Sequence, residues 1–377
     1  MQQERFNRLI EGLSSLGLDG IALMPSSNLR YLSGLSFHPS KRLTLALVPS
    51  NGHMPCFVLP ALEASAVRST SSIPMELFTW TDAEGPAHAL REAFTYAFHG
   101  QTARIGIEYS AMRVMELRAL ELAAGANRCA LETVDASALV SAMRMVKDES
   151  EQAAMAQAAR IVETALQETL QHIGVGVTER QLMRICSQAI LDAGATGESF
   201  EAIVASGPNS ANPHHGGSDR PFQTGDLIVV DCGAVYGGYA SDITRTFALG
   251  EPGTQAREIY AVVLAANAAG KAAVRPNVSG EEIDRAARGV IESAGLGAYF
   301  PHRTGHGLGI EVNPCHEPPD LVAGSTAPLA VGTTFTIEPG IYVEGVAGVR
   351  IEDDVVITPE GYQSFTLFNR ELIVLAP

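Results

Sequence analysis

The second part of this 377-residue chain is written twice, and that repeat limits what it can fold into more than any other feature. Thr178-Glu179-Arg180-Gln181 and Ser279-Gly280-Glu281-Glu282 each place a hydroxyl residue three positions ahead of Gln or Glu, the signature of a capping box. A valine precedes each box, Val177 or Val278. Each amphipathic helix that follows runs into a glycine sixteen residues on, Gly194 or Gly295, suited to a C-terminal cap. A long Ala-rich helix precedes both. Further along, Gly225 leads into LIVV and reaches Asp231 six residues later, while Gly332 leads into TFTI and reaches Glu338 at the same spacing. A second strand in each copy brings another carboxylate, Asp242 in YASDITRTF and Glu352 in GVRIEDDVVI. The repeat predicts two α+β halves related by a pseudo-two-fold axis, each presenting two carboxylates from a β-hairpin.

A carboxylate at the end of a buried strand is costly unless paired, hydrogen-bonded or bound to a cation. Four on one axis would repel, and some would hold protons, unless cations sat between them. Two divalent ions remove the conflict, because one carboxylate can bridge both while others cap one each. RTGHGLG offers His306 as the nitrogen ligand, between glycines that permit close backbone approach. Such an oxygen-rich set favours Mn²⁺, Co²⁺, Fe²⁺ or Zn²⁺ over copper or an iron–sulfur cluster. Two adjacent metals can hold a bridging hydroxide and polarise a carbonyl, which is amide hydrolysis without a covalent intermediate. Taken singly, these residues have plainer readings: a strand-end Asp as a hairpin residue, a His between glycines as loop. Cys232, directly after Asp231, reads as a small core residue on the opposite face.

The first ~140 residues alternate short strands with helices. DGIALM (19–24), LTLALVP (43–49) and ARIGIEY (103–109) read as strands, with helical stretches over Ala87–Ala97 and Met112–Ala124 between them. No nucleophile motif, phosphate loop or metal spacing occurs there, so this part reads as a scaffold or lid. A charged helix near Lys147 opens the second part, giving domains at 1–145 and 146–377. Lys and Arg number 26 against 42 Asp and Glu, a net charge of −16 that repels phosphate backbones and disfavours nucleic acid as a partner. No apolar run reaches membrane-span length, roughly 18 residues. Five cysteines without a CxxC pair point to reduced thiols and a cytoplasmic location.

VVDCGAVYGGYASDITRTF, HRTGHGLG, TIEPGIY and GVRIEDD closely resemble the metal-site motifs of the "pita-bread" metallopeptidases: prolidases, aminopeptidase P and, more distantly, methionine aminopeptidase and creatinase. NLRYLSG (28–34) is similar to the creatinase/prolidase N-terminal domain, so the resemblance covers the whole chain. It implies an α/β N-terminal domain followed by a pseudo-two-fold α+β catalytic domain. It implies Asp231, Asp242, His306, Glu338 and Glu352 as metal ligands, with Asp242 and Glu352 bridging and Glu338 also acting as general base. The expected cofactors are two divalent ions, manganese first, cobalt or zinc otherwise. Strand parity puts Thr244 on the face of Asp242 and Arg350 on the face of Glu352, where both would orient ligands.

By the same resemblance His214 contacts substrate, His302 lines the pocket, and His316 in HEPP stabilises the oxyanion. The family pattern would place that last histidine at Asn313, so NPC (313–315) reads as an insertion that displaces it. His215, next to His214, is expected to face solvent. Methionine aminopeptidases place Gln where Arg350 stands, and creatinase lacks the carboxylates. The expectation is therefore an exopeptidase for Xaa-Pro bonds on small proline-containing peptides, leaning to the dipeptidase, with aminopeptidase P as alternative and a homodimer as assembly. A catalytically impaired peptide-binding protein of the same fold is the remote alternative, resting on Asn313.

Overall fold

In the computed structural model, which describes residues 2–37, 40–71, 73–312 and 317–377, the strand–helix alternation of the first part folds as a six-stranded mixed sheet. The strand order is Glu76–Trp80, Cys56–Pro60, Leu45–Pro49, Gly20–Leu23, Thr102–Ile107 and Ala130–Asp135. Gly20–Leu23 pairs antiparallel with Leu45–Pro49 and parallel with Thr102–Ile107. Helices Ala87–Ala97 and Val114–Ala126 pack Ala93, Phe94 and Leu120 against Leu45, Val58 and Ile105. NLRYLSG forms the short helix Ser27–Ser33, capped by Ser26 and closed by Gly34 at φ 73°. Its Asn28 donates to Glu108 (2.5 Å) and accepts from Arg144 (2.8 Å), and the Tyr31 hydroxyl donates to the Met143 carbonyl. The motif is thus a buried polar clamp within the first unit, which spans Met1–Arg144.

Met145–Pro377 forms the second compact unit. Its opening helix, Glu149–Leu170, starts at a capping box made by Asp148 and Glu151. Both repeated boxes form as well: Thr178 and Gln181 open helix Glu179–Asp192, and Ser279 and Glu282 open helix Gly280–Ser293. The two copies match in backbone detail. Thr178 bridges to Pro221 and Ser279 to Pro328, and Gly225 and Gly332 take φ values of 93° and 89°. Each copy then builds an antiparallel strand pair, Leu227–Cys232 with Ile243–Leu249 and Thr334–Ile337 with Asp353–Thr358. The first pair lies in a four-stranded sheet over Leu182, Cys186 and Ile190 of its helix, and Cys232 belongs to that core. The second packs Phe335, Ile337 and Val355 on Ile283.

No helix among the described residues is long and apolar enough to cross a membrane. Asn313, Pro314, Cys315 and His316 lie outside the described residues, so the expectation for His316 and the NPC insertion is not carried further.

Candidate metal centre

The four strand-end carboxylates and one histidine line a single cavity of about 430 Å³. Asp231 is the last residue but one of the first strand of its pair, and Asp242 stands immediately before the second. Glu338 follows Ile337 and Glu352 precedes Asp353, so the second half repeats the placement. Asp242, His306 and Glu352 bring ligand atoms within 4.8 Å of one another. His306 Nε2 lies 3.7 Å from Asp242 Oδ2 and 3.6 Å from Glu338 Oε1. The other ring nitrogen, Nδ1, is 2.9 Å from the Gly307 carbonyl, an acceptor only; Nδ1 therefore carries the proton, and Nε2 presents a lone pair to the acids. The flanking glycines are required there: a Cβ at Gly305 would lie 2.0 Å from the Thr336 carbonyl oxygen, and one at Gly307 2.1 Å from that of Pro318.

The donor set passes a direct test for a cation. Asp231 Oδ1 and Asp242 Oδ1 are buried and have no hydrogen-bond donor among the described residues. Burial pushes the Asp242 carboxyl well above the usual carboxylate range, and Glu352, Asp231, Asp354 and Glu338 push it further. Burial and then Glu338 and Asp231 do the same to Glu352. Apposed acids at oxygen-ligand distances, with lone pairs left open, fit hard divalent cations.

Partners behind the acids fix their positions. Thr244 donates to Glu352 Oε2 (2.6 Å) and accepts from Arg350 Nε (3.1 Å). Arg350 Nη2 donates to Asp231 Oδ2 at 2.5 Å, so this guanidinium serves the first half's ligand from the second half's chain. Adjacent acids have opposite tasks. Asp353 is buried among Arg245, Lys271 and Arg370, which hold its carboxyl far below the usual range despite burial. Asp354 accepts the backbone N–H of Asp242 at 3.0 Å, and burial pushes its carboxyl up. Asn267, on helix Thr254–Ala273, donates to the carbonyls of Ile337 and Ile351, one residue before each ligand of the second half.

His214 and His302 line the same cavity, with Phe200, Ile203, Pro213, Arg303 and Val312. His302 Nδ1 faces the Arg303 carbonyl (2.7 Å), so Nε2 is the acceptor and the Tyr342 hydroxyl, 2.9 Å away, donates to it. Arg350 Nη1 in turn donates to the Tyr342 oxygen at 2.9 Å. Burial pushes the Tyr342 hydroxyl up to about 12 and holds His302 below the ordinary imidazole value. Tyr342 stands within the TIEPGIY motif, where nothing local marks it for this role. His215, expected to face solvent, does not: the ring is largely buried, with Nε2 2.7 Å from Glu179 Oε2. The expectation rested on an extended backbone, whereas the segment leaves a 3₁₀ turn at Gly207–Ala211 and bends at Gly217, φ 69°.

Residues 153–359 match metallopeptidase family M24, and residues 5–146 match the creatinase/prolidase N-terminal domain. The chain belongs to metallopeptidase family M24 and is a metallo-exopeptidase by class. It is 36% identical over 364 residues to a probable dipeptidase PepE of Mycobacterium bovis, covering 95% of this chain and 92% of that one. Among solved structures, a dipeptidase from Pyrococcus horikoshii OT3 is 38% identical with a TM-score of 0.90, covering 98% of this chain and 100% of its own. A recombinant prolidase from Thermococcus sibiricus is 34% identical with a TM-score of 0.91, covering 100% and 99%. These neighbours carry the pita-bread fold with its N-terminal domain, as the motifs implied. The family implies divalent metal ions as cofactors.

Proposed function

We propose that this chain is a dinuclear-metal Xaa-Pro dipeptidase, with Asp231, Asp242, His306, Glu338 and Glu352 as its metal ligands. One observation carries the reading: five ligand-type side chains from both halves converge on one cavity, with open lone pairs on Asp231 and Asp242 and, among the described residues, Arg350 bonded to Asp231 alone of the acids. Divalent ions held there, manganese first, supply a Lewis acid for the scissile carbonyl and a water acidic enough to attack it.

The chain's own residues do the rest. Glu338, at the edge of the ligand cluster and beside His306, takes a proton at its carboxylate and returns it to the imide nitrogen of the leaving proline. Without that proton the proline nitrogen would have to leave as an amide anion, so the proton is needed for departure. Tyr342 and His302, locked in one donor direction by Arg350, present a fixed polar edge. Phe200, Ile203, Pro213 and Val312 give an apolar wall against which a proline ring can pack. A cavity of about 430 Å³ lies near the small end of ligand pockets, ~300–1,000 Å³, which suits a dipeptide. The relatives named dipeptidase and prolidase support the same substrate.

The test is hydrolysis of Ala-Pro against Ala-Pro-Ala by metal-stripped protein reconstituted with Mn²⁺. Faster cleavage of the dipeptide is expected. Preference for the tripeptide makes the chain an aminopeptidase P, and cleavage of neither leaves a peptide-binding protein. Metal analysis finding one ion per chain at saturation would remove the dinuclear reading. We further propose domains at 1–145 and 146–377, a homodimer and a cytoplasmic location. The four described cysteines are free and buried, which supports a reducing compartment. A monomer by light scattering would overturn the dimer.

A further inference from the structure

Outside the ligand cluster, a heavily hydrogen-bonded acid of the second unit is Glu179, the first residue of helix Glu179–Asp192. It is fully buried. Its Oε1 accepts from the backbone N–H of Ser206 (2.8 Å), the Ser206 hydroxyl (2.7 Å) and Asn209 Nδ2 (3.0 Å). Its Oε2 accepts from the backbone N–H of Ser218 (3.0 Å), the Ser218 hydroxyl (2.6 Å) and His215 Nε2 (2.7 Å). All the donors come from 206–218. The segment between those serines holds Pro213 and His214, both of which line the catalytic cavity.

His214 needs such an anchor. Its ring is exposed and makes no side-chain hydrogen bond among the described residues; only its backbone N–H is held, by Asn212 Oδ1 (3.1 Å). Its neighbour His215 is tied to Glu179, and the Pro213 carbonyl receives Arg350 Nη1 at 3.5 Å. Placement of the His214 ring is therefore inherited from bonds made one residue to either side. A carboxylate suits the task because it accepts several bonds at once, and charge strengthens each of them. Burial alone would push Glu179 up; the bonds from Ser218, Ser206, His215 and Asn209 outweigh it and hold the carboxyl below its ordinary value, so it stays ionised at neutral pH.

We propose that Glu179 is a positioning residue for the peptidase reaction, acting through His215 to hold His214 and Pro213 at the substrate cavity. It touches neither substrate nor metal. This inference rests on the proposed peptidase activity for its kinetic readout only.

The test compares Glu179→Gln, His215→Ala and His215→Gln with the parent, all loaded with Mn²⁺. Misplacement of a substrate-contacting group by about 1 Å costs on the order of 100-fold in rate. We expect Glu179→Gln and His215→Ala to lower kcat/KM by roughly 10- to 100-fold. Bound metal per chain should stay at the parental value, and His215→Gln, which keeps a donor for Glu179, should recover most of the loss. Amide hydrogen exchange, read without substrate, should speed up over 206–218 while staying slow over 227–232 and 353–358. Unchanged exchange over 206–218 in the Glu179 and His215→Ala variants would overturn the proposal, as would equal loss in both His215 variants. Should Glu179→Gln fail to fold, the His215 pair and its exchange pattern decide the matter. If the parent cleaves no Xaa-Pro peptide, the functional reading fails, and the exchange measurement still tests the anchor.

Discussion

At the first residue after each N-cap, the two halves of the catalytic unit part company: the first half has Glu179, the second Gly280. The first puts a buried acid into its helix start and draws the 206–218 segment around it. The second removes the side chain altogether, so that the backbone of another segment comes close: a Cβ at 280 would lie 2.3 Å from the Asp320 carbonyl oxygen, and the Glu281 N–H donates to the Ser325 carbonyl at 2.9 Å. The segment leading to Asp320 is anchored in the reverse sense. Its own Glu317 is buried against Lys147 Nζ at 2.9 Å, and Lys147 comes from before the opening helix. The repeat thus retains capping boxes, bridges and ligand strands, while the first half holds its cavity-lining 206–218 segment through Glu179 and the second ties down its 317–320 segment through Glu317 and Lys147. What must superpose is the ligand scaffold; what differs is how the flanking segments are anchored.

The comparison breaks first, and hardest, at the ligands. If both halves build one centre, Asp242→Ala from the first and Glu352→Ala from the second should each abolish hydrolysis and lower bound metal, with circular dichroism unchanged. Loss in one variant alone would confine the site to one half. Removing metal should expose the opposing acids. In chelator, Asp242→Asn should raise stability by roughly 1–3 kcal/mol, because the buried acid must either stay charged or take up a proton from solvent and the amide does neither. With metal present the same substitution should lower it. Calorimetry of both proteins with and without chelator reads this reversal of sign.

The loop anchors come next. Lys147→Ala leaves Glu317 buried without that cation and should cost about 3–5 kcal/mol by denaturant unfolding. A cost below about 1 kcal/mol would show that the pair is dispensable. For Glu179 the loss is smaller, since Gln keeps half of the acceptors: about 1–3 kcal/mol at neutral pH. Its pH dependence has a definite sign. The folded-state value lies below the ordinary 4.5, so the acid's contribution is complete above about pH 4.5 and is lost as pH falls through the folded value. The stability gap between parent and Glu179→Gln should therefore be constant above that pH and narrow below it. A gap that widens in acid would contradict the assignment.

Much of this organisation is legible in the sequence because it is local. A capping box occupies four residues, and a ligand at a strand end is announced by the apolar run before it, as with LIVV before Asp231 and TFTI before Glu338. Strand parity grouped Thr244 with Asp242 and Arg350 with Glu352, but their hydrogen bonds cross between the halves, Thr244 to Glu352 and Arg350 to Asp231. The unread part depends on partners distant in the chain. Glu179 binds groups 27 to 39 residues away, and nothing within its own turn marks it as other than a first-turn acid. Lys147 and Glu317 are 170 residues apart. Asp353 and Asp354 sit side by side in one motif, yet one is sealed among three cations and the other caps the Asp242 backbone, a division set by strand facing. Tyr342 gains its role because the Gly340–Val343 strand pairs with Ala347–Arg350, which returns Arg350 to the tyrosine oxygen.

The smallest effects test whether Gly280 is a built feature or an accident of the repeat. Helix Gly280–Ser293 contains one further glycine for comparison, Gly289, where a Cβ meets nothing within 4 Å. Gly289→Ala should follow ordinary helix propensity and stabilise by about 0.5–1 kcal/mol. At Gly280 the same change drives a methyl into the Asp320 carbonyl oxygen at 2.3 Å and the Ser325 hydroxyl at 2.8 Å. Backbone there must shift, and the expected result is a loss of about 1–3 kcal/mol in denaturant unfolding. Opposite signs for one substitution within one helix would show that the second half needs a bare position where the first half needs an acid. Stabilisation at both sites would mean that the 320–325 segment moves aside freely, and that the contrast between the halves lies in Glu179 alone.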